Sequence, residues 1–224
     1  GLAHFFFLWL GDILFLYAGA GCILFLFRNW NAERLIQWGV IAYVVGAIIL
    51  IAGLGSILVM LLEAGQANPS QETLDELANI YQELGFLPVD IAAETALYQG
   101  SYSNLVEYRV REEWSYPLQN LQLAPLETIP LMMIGMGLYK NRFLLGEASH
   151  DTYRNTARLM MALSIPCFIA LAATAYIQQF DSIWMLNISQ SWSMLPRLPM
   201  IIGYVALFIL IIQKFRDHPM LQRV

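Results

Sequence analysis

The chain contains 224 residues, of which 58% are hydrophobic and 13% are charged, and it carries a formal net charge of -5 at pH 7. This hydrophobic share, with a mean hydropathy of +0.55, excludes an ordinary soluble domain and indicates a polytopic membrane protein. No cluster of basic residues favours a nucleic-acid partner. The two cysteines, Cys22 and Cys167, fall in apolar stretches, so neither a disulfide framework nor a metal site is predicted.

Five apolar stretches are long enough to cross the ~30 Å hydrocarbon core of a bilayer as helices, which takes about 20 residues. They cover residues 5–27, 35–62, 121–139, 156–177 and 194–213. The sequence therefore predicts an all-α transmembrane helix bundle of about five spans, in contact with the lipid bilayer. Residues 1–224 are predicted to form one membrane domain.

Basic residues and acidic residues alternate between the spans. Those between spans one and two, between three and four, and after span five are Arg28, Arg34, Lys140, Arg142, Arg154, Arg158, Lys214, Arg216 and Arg223. The positive-inside rule assigns these stretches to the cytoplasm. Residues 64–120, called the outer segment below, are long and mostly acidic and are predicted to lie outside. The N-terminus is therefore predicted outside and the C-terminus inside.

The outer segment has helical periodicity. One helix is predicted from Ser70 to Gly85, and a second from about 89 to 114 with a break at Gly100. The charge pairs at i,i+4 spacing, which indicate a solvated helix face, are Glu107 with Arg111 and Arg109 with Glu113. The outer segment is thus predicted to be helical but not membrane-spanning.

Asp12 is the one acidic residue in the first apolar stretch. An ionised carboxylate deep in lipid costs roughly 2.5 kcal/mol or more, so Asp12 should turn toward other helices, a partner or water. His4 precedes it by two helical turns, which is roughly 12 Å along a continuous helix. The two side chains are therefore not expected to touch if this helix is unbroken.

Two further charged residues lie near the predicted outer ends of spans three and five. Glu127 is expected at a depth similar to that of Asp12, and Arg197 lies on the side that the positive-inside rule disfavours. Arg197 is therefore expected to pair with a carboxylate such as Glu127, Asp12 or Glu63. In span two, glycines at seven-residue intervals predict a smooth face for close helix packing. These glycines are Gly39, Gly46 and Gly53.

Several motifs resemble the YeiB-like family of bacterial inner-membrane proteins, a domain of unknown function. The motifs are Gly1-Leu2-x-His4, Gly11-Asp12-Ile13-Leu14-x-x-Tyr17-Ala18-x-x-Gly21, Phe27-Arg28, Glu94-x-x-x-Tyr98-x-Gly100-Ser101-Tyr102 with Arg109, and Gly135-Met136-x-Leu138-Tyr139. Members of that family are longer at both ends, so the chain is expected to be a central piece of a larger protein. The resemblance implies a bacterial inner membrane and a loose association with transport. It also implies a distant similarity to acyltransferases that pass acyl groups from acyl-coenzyme A to envelope sugars.

The first functional hypothesis is an acyltransferase, which needs a base, a carboxylate to orient it and donors for a developing oxyanion. His4 would be the base, Asp12 or Glu94 its orienting carboxylate and Arg109 a polar anchor, with acyl-coenzyme A as donor and an envelope glycan as acceptor. The residues predicted to bind substrate are Glu94, Tyr98, Arg109, Glu127 and Arg197.

Two other hypotheses stay open from sequence. In a transporter or permease for a small solute, Asp12 would be an intramembrane polar or proton site. In a structural membrane protein, Asp12 would pair with Arg197 or cap a neighbouring helix and hold the bundle together.

Overall fold

The computed structural model describes residues 1–215, which form α-helices and short helical turns without a β-strand. The α-helices are α1 (Leu2–Phe7), α2 (Leu14–Leu24), α3 (Ala32–Ala64), α4 (Gln71–Glu83), α5 (Pro88–Gln99), α6 (Tyr102–Arg111), α7 (Tyr116–Leu123), α8 (Thr128–Lys140), α9 (His150–Ile177), α10 (Ser182–Asn187) and α11 (Met194–Phe215). A π-helical turn, Ile188–Trp192, joins α10 to α11. The prediction of an all-α fold is confirmed.

Three helices of the described chain, α3, α9 and α11, are long and apolar enough to cross a membrane. They coincide with predicted spans two, four and five. Predicted span three is divided between α7 and α8, which are bent by 56° at the break and could together form a fourth crossing. Pro125 lies in this break, where its ring and missing N–H oppose a continuous helix. The described chain thus has three spanning helices, or up to four, fewer than the five predicted.

The prediction of one continuous helix over residues 5–27 is wrong. Helix α1 ends at Phe7 and α2 begins at Leu14, and the apolar helical stretch Leu14–Phe27 is too short to count among the spanning helices. The physical reason lies in the connecting residues. The carboxylate of Asp12 accepts a hydrogen bond from the backbone N–H of Phe15 at 3.0 Å, which favours a new helix start over a continuing helix.

Helix α3 packs along α8, and α9 packs along α11. The predicted glycine face of α3 explains the first contact, since a Cβ on Gly39 would lie 2.8 Å from Ile134 and one on Gly46 only 2.0 Å from the carbonyl oxygen of Leu126. A Cβ on Gly53 would meet no atom within 4 Å. The close-packing face therefore covers two of the three glycines and stops before the third.

The outer segment has the helices that were predicted for it. Ser70 caps α4 by accepting a hydrogen bond from the N–H of Thr73, and Gly85, with φ of +67°, follows the end of that helix. The predicted break at Gly100 separates α5 from α6. Glu107 and Arg111 form the expected pair at 2.9 Å, with both side chains exposed. Arg109 is instead buried, so the prediction that it belongs to a solvated face is wrong.

Basic residues meet at the end of the bundle opposite the outer segment. Lys140 donates to the backbone oxygens of Arg28 and Trp30 at 2.5 and 2.6 Å, and Gln213 donates to that of Gly146 at 3.2 Å. These contacts place the connections between predicted spans one and two, and three and four, at one end. Arg216 and Arg223, also assigned to this end, lie outside the described residues. Which end faces the cytoplasm stays a prediction.

We expect Gly46→Ala to lower the free energy of unfolding by about 1–3 kcal/mol, because the added methyl group collides with the Leu126 carbonyl and forces α3 away from the α7–α8 break. Gly53→Ala is the matched control on the same helix and should be neutral or stabilising by up to about 1 kcal/mol. Denaturant titration of the purified protein in detergent micelles measures both. Equal losses in the two variants would show that this contact does not hold the bundle together.

Candidate functional site

Helix α1 is held against the outer segment by three kinds of contact. The Phe5 side chain is 1% exposed, and its ring stacks on that of Tyr116 with 6.2 Å between ring centroids. The hydroxyl of Tyr102 donates to the backbone oxygen of Phe7 at 2.7 Å. Arg109 approaches the backbone oxygen of Phe6 at 3.5 Å. Every residue of α1 from Phe5 to Phe7 therefore contacts the outer segment, which fixes the position of the neighbouring His4.

His4 and Asp12 meet despite their separation along the chain. The Nδ1 atom of His4 lies 2.9 Å from Oδ1 of Asp12, because the chain folds back between α1 and α2. The expected separation of two helical turns does not apply, since it assumed an unbroken helix. The contact is a close approach without the alignment of a hydrogen bond, since neither atom has a hydrogen-bond partner in the described chain.

The two side chains differ in exposure. The Asp12 side chain is 1% exposed, whereas that of His4 is 34% exposed. The second carboxylate oxygen of Asp12 is held by the Phe15 N–H. A buried carboxylate beside Nδ1 favours the tautomer with the proton on Nδ1, which leaves Nε2 as the atom that can accept a proton. This arrangement can serve as a general base directed by a fixed carboxylate.

Two glycines in the first motif allow the chain to fold back in this way. A Cβ on Gly1 would lie 2.5 Å from the Cα of Phe15, and a Cβ on Gly11 would lie 2.6 Å from the indole ring of Trp9. A side chain is therefore excluded at Gly1, where backbone atoms stand in its way, whereas at Gly11 the exposed Trp9 ring would have to move. The Gly1, His4, Gly11 and Asp12 positions noted in the sequence thus belong to one local structure.

A second feature is an open cavity of about 750 Å³ in the outer segment, called the outer cavity below. Its polar lining residues are Glu83, Asp90, Glu94, Tyr98, Tyr108, Glu113 and Tyr116. Glu94 and Tyr98, both predicted to bind substrate, line it. The other five were not among the predicted site residues. The spacing of Asp90, Glu94 and Tyr98 at four-residue intervals places all three on one face of α5 and was a usable signal.

Arg109, the third predicted residue of this region, lies behind the cavity wall. It is 2% exposed, its guanidinium carbon lies 5.9 Å from the centroid of the Tyr98 ring, and its Nε atom has no hydrogen-bond partner in the described chain. Arg109 therefore connects the outer cavity to α1, since it also contacts the Phe6 carbonyl.

Burial raises the pKa of Glu113, the nearby Glu94 charge raises this pKa further, and Arg109 opposes the shift. Burial also raises the pKa of the Tyr108 hydroxyl, with contributions from Glu113, Glu112 and Glu94. Burial is the largest cause of both shifts, and at Tyr108 the neighbouring carboxylates add to it. The outer cavity is lined by four carboxylates, from Glu83, Asp90, Glu94 and Glu113.

Glu127 and Arg197 form a separate cluster between α8 and α11. Their side chains make an ion pair and are each about 30% exposed. Arg197 also donates to the backbone oxygen of Ser189 at 2.6 Å and to the Ser193 hydroxyl at 2.5 Å. Of the three carboxylates considered for Arg197, Glu127 is its partner, and the described contacts do not include Asp12 with Arg197. Neither residue of this pair lines the outer cavity.

The described residues contain no group of three or more His, Cys, Asp or Glu side chains that could hold a metal ion. The predicted site residues lie in three separate places, which are the His4–Asp12 pair, the outer cavity with Arg109 behind its wall, and the Glu127–Arg197 pair.

We expect Glu113→Gln to change how stability depends on pH. Since the pKa of Glu113 is raised in the folded state, the folded protein loses stability as pH rises from the ordinary Glu pKa of 4.5 through the raised value, and the loss is complete above it. Glu113→Gln should remove this loss and make the decline in Tm between pH 4 and 7 shallower. Glu112→Gln, at the exposed neighbouring position, is the control, and identical pH profiles for both variants would contradict the expectation.

Comparison with known proteins gives one match. Residues 138–224 match the sequence model of a family described as a protein of unknown function (DUF418). No curated protein and no solved structure matches the chain. Within the described chain, the matched region holds α9, α10 and α11 and the Arg197 side of the ion pair, whereas His4, Asp12 and the outer cavity lie before it. Over this C-terminal part the chain is similar to that family.

Proposed function

We propose that this membrane protein transfers an acyl group to a hydroxyl of an envelope acceptor, with His4 as the catalytic base and Asp12 as its positioning residue. The observation that carries this proposal is the 2.9 Å approach of His4 Nδ1 to the buried Asp12 carboxylate. A neutral imidazole with its proton held on Nδ1 presents Nε2 to a substrate, as general base catalysis requires.

The reaction balances as a transfer from a thioester such as acyl-coenzyme A. His4 Nε2 accepts the proton of the acceptor hydroxyl while the oxygen forms a bond to the acyl carbonyl carbon. The carbon–sulfur bond then breaks, and the thiolate leaves with the proton returned by His4. A base positioned in this way contributes typically 10²–10⁴-fold to the rate.

The structure supports a different role for Arg109 from the polar anchor expected from sequence. A side chain that is 2% exposed and directed to the Phe6 carbonyl is better placed to hold α1 than to contact a substrate. Asp12 is likewise too buried to meet a substrate directly. His4, with a third of its side chain exposed, is the member of this group that a substrate can reach.

The proposed setting is the bacterial cytoplasmic membrane, with α1 and the outer segment on the outer side and the basic end inside. The separation of basic residues from the acidic outer segment supports this orientation. We further propose that α1 and α2 enter the membrane as a broken segment, which would correspond to predicted span one.

The test is release of free coenzyme A by the detergent-solubilised protein, supplied with acyl-coenzyme A donors of several chain lengths and an envelope glycan acceptor. Solubilised protein makes both faces accessible to the donor. We expect release in the parent protein, a 10²–10⁴-fold loss in His4→Ala and a smaller loss in Asp12→Asn. His150→Ala, an exposed histidine at the start of α9, is the matched control and should keep the parent rate.

Binding provides an independent readout. A donor present at about 100 times its dissociation constant should stabilise the folded protein by ~2.7 kcal/mol, which a thermal melt detects. No release and no stabilisation with any donor would overturn the proposal. An undiminished rate in a folded His4→Ala variant would remove His4 from the mechanism.

A further inference from the structure

The outer cavity has the size and lining of a ligand site. Its volume of about 750 Å³ falls within the roughly 300–1,000 Å³ that is typical of small-molecule pockets. Helices α5, α6 and α7 contribute three tyrosine rings, from Tyr98, Tyr108 and Tyr116. The cavity thus combines aromatic surface with carboxylates in one concave space.

The carboxylates of the outer cavity form no close ion pair within the described chain, and Arg109 behind the cavity wall is the basic residue whose charge acts on Glu113. Glu83, Asp90, Glu94 and Glu113 all line it, and none of them forms an ion pair with a described residue. The Oδ2 atom of Asp90 is moreover buried without a hydrogen-bond partner. A buried acceptor without a partner is costly, and a cationic donor in the cavity would satisfy it.

The aromatic rings indicate which kind of cation fits. Tyr98 lines the cavity with a half-exposed side chain, so its ring is accessible to a cation there, and Arg109 lies 5.9 Å from the ring centroid. The described residues contain no carboxylate cluster close enough to chelate a metal ion. Negative charge spread along an aromatic-lined cavity suits an extended organic ammonium better than a compact metal ion.

From this we infer that the outer cavity binds an extended alkylammonium ligand, with its ammonium groups paired to Asp90, Glu94 and Glu113 and its alkyl chain against the tyrosine rings. This site is separate from the His4–Asp12 pair and does not depend on the proposed acyl transfer. A neutral chain of the same length would lose the charge contacts, and a divalent metal ion would lose the aromatic contacts.

Binding of spermidine to the full chain in nanodiscs of zwitterionic lipid, followed by isothermal titration calorimetry, tests this inference. Zwitterionic lipid limits attraction of spermidine to the bilayer itself. We expect saturable binding that weakens at least tenfold in Glu94→Gln and in Tyr98→Leu but is kept in Tyr98→Phe, which preserves the ring. Glu107→Gln, an exposed carboxylate of α6 outside the cavity lining, is the matched control and should bind as the parent does.

Competition defines the ligand class. Neither 1,8-octanediol nor Mg²⁺ at equal ionic strength should displace spermidine. No binding by the parent protein, equal weakening in Glu94→Gln and Glu107→Gln, or full displacement by Mg²⁺ would overturn the inference. His4→Ala should still bind spermidine, so loss of acyl transfer in that variant and loss of this site are distinguishable. Thermal melts of each variant establish that it is folded before its binding is compared.

Discussion

The buried carboxylate of Asp12 is the constraint on which the N-terminal structure depends. In an apolar stretch of this length, an uninterrupted helix would leave that carboxylate in lipid. The chain instead breaks, so that one oxygen receives the Phe15 N–H and the other meets His4. The same break turns α1 back against the outer segment, where Phe5 becomes buried. The contacts made by the Asp12 carboxylate thus determine the path of the chain both before it, in α1, and after it, in α2.

The bundle that supports this region is built from two helix pairs joined by polar contacts. Close packing of α3 on α8 requires Gly39, and α9 packs separately along α11. The Tyr43 hydroxyl of α3 donates to the Met194 carbonyl at 2.8 Å, and Arg197 of α11 pairs with Glu127 before α8. Because association within lipid has no hydrophobic driving force, small residues and buried polar bonds are what hold such pairs together. The cluster at Arg197 is explained by this role without a substrate.

Sequence reasoning succeeded where one physical signal decided the structure. Sustained hydropathy predicted α3, α9 and α11, and the caps at Ser70 and Gly100 predicted the helices of the outer segment. It failed for residues 5–27 because a hydropathy window does not register the backbone bond that Asp12 makes. Four-residue spacing cannot tell a buried Arg109 from a solvated one, since burial depends on α1, which is distant in sequence. Predicting the His4–Asp12 contact would have required knowing that the helix breaks between α1 and α2.

The outer cavity and the His4–Asp12 pair are connected through residues of the outer segment. Tyr116 lines the outer cavity and stacks on Phe5, the residue next to His4. Arg109 contacts Tyr98 on the cavity side and the Phe6 carbonyl on the other. Both tyrosines are partly exposed, and each is joined to α1 through one contact, Tyr116 directly and Tyr98 by way of Arg109. The position of α1, and with it that of His4, therefore depends on the outer segment as well as on the first motif.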